Sequence, residues 1–270
     1  MKIGFSTIAC PDFDVSQVIQ IAKKNNYDSI EIRFLKGTVD LASLPEFSEA
    51  MIHQTKKKFI DAGIEVVAVD TSVRMNAKDP EVRKKNVLLA RQNIAIAKGL
   101  GATMIRVFGG PLLPEQSEEE SLNLIAKGLG EIASMSMQDG ILTLLETHDD
   151  FSTSPRCLEL YSRSDCKDLY ILWDTLHSFR HGESPEYTWA QLGDRIKHIH
   201  IKDSFVANST KFDFAPTGEG VMPVKEIINL LKSKKYLGKL HFEWEKGWHP
   251  EIDGPEISLP HFSKYISNFT

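Results

Sequence analysis

RKKNVLLARQNIAIAKGLGATMIRVFGG, residues Arg83 to Gly110, holds a helix, a break and a strand in one run. Apolar Val87, Ala90, Ile94 and Ala97 recur three or four residues apart, the spacing of one helix face, which predicts a helix over 83–98. Gly99 and Gly101 follow as glycines do at helix C-termini, and Thr103-Met104-Ile105-Arg106-Val107-Phe108 then reads as a short strand. The same order recurs along the chain. Candidate strands lie at 3–7, 29–34, 65–70, 103–108, 141–147, 169–174, 196–203 and 240–245. The spacing predicts further helices near 16–25, 47–62, 119–137, 153–163, 186–193, 223–234 and 259–268. Strand and helix alternating with a period of roughly 30 residues implies parallel strands joined by helical crossovers. Eight such units without a large insertion fit a closed (β/α)8 barrel spanning 1–270 as a single domain better than an open sheet. No GxGxxG turn follows the first strand, so a dinucleotide fold has no support.

Composition narrows the functional classes. Of 270 residues 41% are hydrophobic and 26% charged, as in ordinary globular proteins. No apolar run is long enough to span a bilayer. The start Met1-Lys2-Ile3-Gly4 lacks a signal peptide's apolar run, so a cytoplasmic protein beginning at Met1 is expected. Cys10, Cys157 and Cys166 are too scattered for a disulfide framework or a CxxC site. The net charge is −5, and Lys56-Lys57-Lys58 reads as the solvated face of a helix, so a nucleic-acid partner is disfavoured.

Active sites of such barrels form at the C-terminal ends of the strands. Here the fifth ends Leu145-Glu146-Thr147-His148, the sixth Trp173-Asp174-Thr175-Leu176-His177, the seventh His198-Ile199-His200-Ile201-Lys202-Asp203 and the eighth His241-Phe242-Glu243-Trp244-Glu245. Alternation puts His198, His200 and Lys202 on one face and Ile199 and Ile201 on the other, where covering helices want apolar groups. Glu146 shares a face with His148, and Glu243 shares one with His241 and Glu245. Packing so many ionisable groups together without a cation costs several kcal/mol each, so the set points to a metal. One imidazole with three carboxylates suits Mn²⁺, Mg²⁺ or Co²⁺ and admits Zn²⁺. Glu245 rivals Glu243, while His148 and Lys202 are candidate substrate contacts or structural partners. Glu31, Arg33 and Arg106 fit either substrate contacts at the rim or a buried ion-pair layer, and Glu219 either a closing group or a surface turn. The amides of Gly218 and Gly220 could receive a phosphate.

Glu146-Thr147-His148-Asp149, Trp173-Asp174-Thr175-Leu176-His177, His198 to Asp203, Gly218-Glu219-Gly220 and Phe242-Glu243-Trp244-Glu245 together resemble the signatures of the xylose isomerase-like TIM barrel superfamily of sugar isomerases and epimerases. The likeness extends to Ser29–Arg33 and Ile105–Gly110, so it covers essentially the whole chain. It implies metal ligation by Glu146, Asp174, His200 and Glu243, with Glu146 and Glu243 as the acid/base pair. It also implies His177 beside the substrate, with His148, Lys202, Arg106 and Glu219 as further candidate contacts. The expected substrate is a small sugar or sugar phosphate, isomerised or epimerised by proton abstraction next to a carbonyl, and a homo-oligomer is compatible with the pattern.

Two departures bear on the alternatives. The endonuclease IV branch carries extra histidines for a three-zinc cluster, but Val69-Asp70-Thr71 and Phe108-Gly109-Gly110 supply none, and Asp213-Phe214-Ala215 lacks the later one. Tagatose epimerase-like proteins place an arginine six residues beyond the seventh-strand histidine, where this chain has Val206. An inosose dehydratase-like lyase and a non-catalytic sugar-binding barrel therefore remain the rival expectations.

Overall fold

The computed structural model describes residues 2–164 and 167–269. Eight parallel strands close into a barrel: β1 (Ile3–Ser6), β2 (Ser29–Ile32), β3 (Glu65–Arg74), β4 (Met104–Phe108), β5 (Leu142–Glu146), β6 (Leu169–Asp174), β7 (Ile196–Ile201) and β10 (Leu240–Phe242). Each pairs with its neighbour in the chain order just given, and β10 closes on β1 with Phe5 opposite Phe242. The fold class expected from the repeat is the one observed. Between β7 and β10 lies an antiparallel hairpin, β8 (Asp203–Ala207) and β9 (Phe212–Ala215), which the sequence reading had merged into its seventh strand and the following loop.

The helices are α1 (Val15–Lys24), α2 (Ile52–Asp61), α3 (Pro80–Leu100), α4 (Glu118–Met137), α5 (Ser154–Arg163), α6 (Thr175–Arg180), α7 (Pro185–Leu192), α8 (Val224–Ser233) and α9 (Pro255–Ser267). Their starts carry sequence-encoded caps: Asp14 with Gln17 and Ser117 with Glu120 form reciprocal capping boxes. α3 ends at Gly101, whose φ of 81° only glycine adopts readily. Gly99, read from the sequence as part of the stop, lies inside that helix instead. A Cβ there would sit 2.4 Å from Ile52 Cδ1, so its smallness lets α2 and α3 approach. The short α6 was not expected; Asp174, at the end of β6, caps it through Oδ1 to the amides of Leu176 and His177.

Outward residues of the strands, including Ile30, Ile32, Val69, Ile105, Val107, Leu145, Ile171, Trp173, Ile199 and Ile201, join the helices in the main core. The barrel interior is different. At its N-terminal end Val67, Ala68, Met104, Leu144 and Leu172 form a small separate apolar cluster. Above and beside it stands a polar layer from the closing strands: His198 Nε2 lies 2.6 Å from Glu31 Oε2, and His241 Nε2 lies 2.9 Å from Ser29 Oγ. Gly4 makes room for that layer, since a Cβ on it would lie 2.2 Å from His241 Nε2. Cys10 and Cys157 are buried thiols pushed well up by desolvation, whereas Cys166 lies outside the described residues. No helix among the described residues is long and apolar enough to cross a membrane.

Candidate metal centre and its cavity

Strand alternation sends His200 of β7 inward between Ile199 and Ile201, and puts Glu146 and Asp174 at the ends of β5 and β6. Glu243 follows β10 directly. These four side chains, all buried, each offer a ligand atom within 4.8 Å of the others. His200 Nδ1 faces Glu146 Oε1 at 3.4 Å and Glu243 Oε2 at 3.3 Å and makes no hydrogen bond. Nε2 of the same ring lies 2.8 Å from Glu31 Oε1. That contact lies at ion-pair distance without hydrogen-bond geometry, so Glu31 flanks the far nitrogen as a charge, the position from which a carboxylate can support a ligand histidine.

Charge around the quartet is lopsided. Lys202 Nζ, fully buried, reaches Asp174 Oδ2 at 2.8 Å, Glu243 Oε2 at 2.6 Å and Glu245 Oε1 at 2.5 Å. Arg106 Nη1 lies 2.9 Å from Glu146 Oε2, and its Nη2 is 3.7 Å from Asp70 Oδ2. Desolvation depresses the Lys202 ammonium, but Asp174, Glu243 and Glu245 outweigh it and hold the lysine firmly charged. One ammonium cannot satisfy three acids. Burial, opposed by Lys202 but reinforced by Glu243 and Glu146, pushes Asp174 up to about 6. Burial and the Glu31 charge likewise push Asp70 well up. Burial would raise Glu243 too, yet His200 and Lys202 together hold it well below the usual carboxylate range. A surplus of buried acid around an imidazole nitrogen with no hydrogen bond is the environment a divalent cation would stabilise, so the residues present fit one. The donor set is oxygen-rich with one nitrogen, which suits the harder divalent ions and admits zinc.

Above the quartet opens a cavity of about 660 Å³, lined among others by Arg33, Ser72, Phe108, His148, His177, Arg180, Phe212, Glu245 and Trp248. His148 and His177 stand ring to ring at 4.3 Å. Burial disfavours the His148 cation, but Asp149, 3.0 Å from its Nδ1, and Glu146 more than compensate and raise it. Burial and then the charges of His148 and Lys202 push His177 well down. The surroundings thus push the two imidazoles apart, His148 toward and His177 away from the protonated form, a divergence found in acid/base pairs.

The structure brings Glu146, Asp174, His200, Glu243, His148, His177, Lys202 and Arg106 to one end of the barrel. It does not bring Glu219 there. That side chain is exposed and lines a separate crevice with Pro216, Thr217 and Trp244. The reason is Asp203, whose carboxylate accepts from the amides of Gly218 and Gly220 at 2.8 and 3.1 Å and from Met222 at 3.1 Å. The turn is folded around that carboxylate, which also occupies the amides that could otherwise receive a phosphate. Trp244 is buried toward the helices, as alternation requires, with its Nε1 donating to the Asp253 carbonyl. Glu31 and Arg106 belong to the buried ion-pair network, whereas Arg33 does not.

The profile of the xylose isomerase-like TIM barrel family matches residues 19–264. The chain belongs to that family. Among curated relatives of this xylose isomerase-like chain, the inosose dehydratase of Clostridium beijerinckii is 27% identical over 168 residues, 56% of each chain. The chain thus spans about half the length of the curated relatives it matches first. Among solved structures, the "probable 3-DHS dehydratase AsbF" of Bacillus anthracis superposes with a TM-score of 0.84 at 21% identity, covering 100% of both chains. The IOLI protein, determined with a zinc atom bound, gives 0.81 at 20% identity, over 99% of this chain and 97% of that one. An L-ribulose 3-epimerase also gives 0.81, at 18% identity, over 99% and 94%. These likenesses show the fold, and both lyases and epimerases are named within it.

Proposed function

We propose that this xylose isomerase-like barrel is a divalent-metal-dependent enzyme that removes a proton next to the carbonyl of a sugar or sugar phosphate, and returns it to isomerise or epimerise the substrate. The observation that carries the reading is the buried quartet of Glu146, Asp174, His200 and Glu243, in which carboxylates outnumber the Lys202 and Arg106 cations beside them, next to a cavity with room for a sugar. These four would hold the metal, with His200 offering Nδ1. The chemistry such a cation supplies is polarisation of the carbonyl and its neighbouring hydroxyl, which stabilises an enediolate by several kcal/mol. Glu146 and Glu243 come from β5 and from beyond β10, on either side of β6 and β7, so they can serve opposite faces of one carbon. Arg106 keeps Glu146 ionised and fixed, Lys202 does the same for Glu243, and each carboxylate contributes roughly 10²–10⁴-fold as general base or acid.

A second reading, dehydration, is favoured by the histidine pair: expelling hydroxide needs a proton donor, and Asp149 and Glu146 shift His148 toward its protonated form while burial shifts His177 away from it. Incubation of Mn²⁺-loaded protein in D₂O with ketoses, their phosphates and inososes, followed by NMR, separates the two. Deuterium entering beside the carbonyl with all hydroxyls retained supports isomerase or epimerase chemistry, and loss of water supports the lyase. Full metal occupancy in an Asp174→Ala/His200→Ala double variant would refute the site itself.

A further inference from the structure

Arg33 follows β2 and points into the cavity with its guanidinium only partly used. The residue is 4% exposed. Nη2 donates to Ser72 Oγ at 2.9 Å, and the head lies over the Trp248 ring at 5.6 Å. Nη1 is buried and has no hydrogen-bond partner. Among the described residues no carboxylate lies within the 4.0 Å of an ion pair with Arg33, in contrast to Arg106 and Lys202 deeper in the barrel. Desolvation, followed by repulsion from Arg106, brings its pKa down to about 10, still leaving the group charged. A buried guanidinium with an idle donor is costly unless something accepts from it. Ser72 accepts from Arg33, so its own hydroxyl proton is free to donate in the same direction, and Ser72 also lines the cavity. A second cavity arginine, Arg180, spends its donors only on the carbonyls of Asn208 and Ser209.

We infer that the substrate carries an oxyanion, a carboxylate or a phosphate, and that Arg33 Nη1 with the Ser72 hydroxyl receives it at the cavity wall. This rests on the reading of that cavity as the substrate site. Two adjacent donors, one of them charged, match two oxygens of one anionic group, and an arginine supplies the directed fork that a lysine does not. A neutral polyol hydroxyl could accept from Nη1 but without the charge that strengthens the bond, so it would bind less tightly.

The test is binding by metal-free protein, so it stands apart from turnover. Inorganic phosphate and tartrate are titrated calorimetrically into wild type, Arg33→Met, Arg33→Lys and Ser72→Ala, with xylitol as the neutral control. Wild type should bind at least one anion well above xylitol. Arg33→Met should lose about tenfold or more of that affinity, Arg33→Lys should keep part of it, and Ser72→Ala should lose less. Preference for phosphate or for tartrate identifies the anionic group. Anion binding that is absent from wild type, or unchanged in both Arg33→Met and Ser72→Ala, overturns the inference. If Arg33→Met does not fold, Ser72→Ala together with Arg33→Lys decides, because Ser72 is exposed. Deuterium wash-in with neutral ketoses but no anion binding would sink this inference and leave the proposed chemistry intact.

Discussion

Replacing Asp174 with Asn should separate the cost of the site from its use. Oδ1 caps α6, a task asparagine performs as well as aspartate, while Oδ2 faces Lys202 within the quartet. The carboxyl is raised from 3.8 to about 6, so at pH 7.5 its ionisation in the metal-free protein costs on the order of 3 kcal/mol. An amide removes that cost but cannot both cap the helix and accept from Lys202, which takes back about 1 kcal/mol. The metal-free variant should therefore be about 2 kcal/mol more stable than wild type. For 270 residues the unfolding entropy is about 0.6 kcal/mol per degree, so its Tm should rise by roughly 3–4 °C in EDTA. Mn²⁺ at 100 times its Kd should then raise wild type by about 2.7 kcal/mol, close to 5 °C, and the variant by less than 1 °C. Differential scanning calorimetry with and without metal reads both numbers. A variant that keeps the Mn²⁺ shift, or one that melts several degrees below wild type in EDTA, would show that Asp174 serves as an anchor for Lys202 and not as part of a cation site.

The same carboxyl sets a pH dependence. Because its folded pKa lies above its unfolded one, the folded state holds the proton more tightly, and this contribution falls as pH rises from about 4 to 6, then levels off. Urea midpoints of metal-free wild type should drop between pH 5 and pH 7 by the equivalent of about 1 kcal/mol, a drop absent from Asp174→Asn; stabilisation by Mn²⁺ should grow over the same interval as the competing proton leaves. Glu31→Gln weakens the support of His200 Nε2, and Mn²⁺ affinity should fall about 10–100-fold by competition with a fluorescent chelator; an unchanged affinity would remove Glu31 from any role in orienting the ring. Gly4→Ala forces a Cβ against His241 Nε2 and Ser29 Oγ and should cost 1–3 kcal/mol or more in the urea midpoint, partly recovered when His241→Ala is added; equal losses with and without the second change would contradict the packing described.

The barrel was legible because strand and helix periods alternate cleanly, and the inward set because His198, His200 and Lys202 are separated by isoleucines that only a covering layer would want. Two further signals lie in the sequence. Asp174 followed by Thr-Leu-His reads as a helix N-cap, which marks α6, and Asn208-Ser209-Thr210 between Phe205-Val206 and Phe212-Asp213-Phe214 marks the hairpin of β8 and β9. Other features had no local signature. Glu219 between two glycines looks like a mobile cap until the distant Asp203 is seen to hold the turn from inside. Arg33, Glu31 and Arg106 have similar sequence surroundings, and only the closed barrel decides that two of them find charged partners and one does not.

The polar layer of Gly4, Ser29, Glu31 and His241 straddles the seam where the chain's first strands meet its last. The quartet itself sits on four adjacent strands, with β5, β6 and β7 carrying three members and Glu243 following β10, which pairs with β7. Glu31, which steadies His200, comes from the opposite side of the same seam. A cation held by the quartet would thus feel closure of the sheet only through Glu31. An N-terminal fragment ending before β10 would hold three of the four candidate ligands, and a cation that favoured the closed barrel would stabilise it over more open forms.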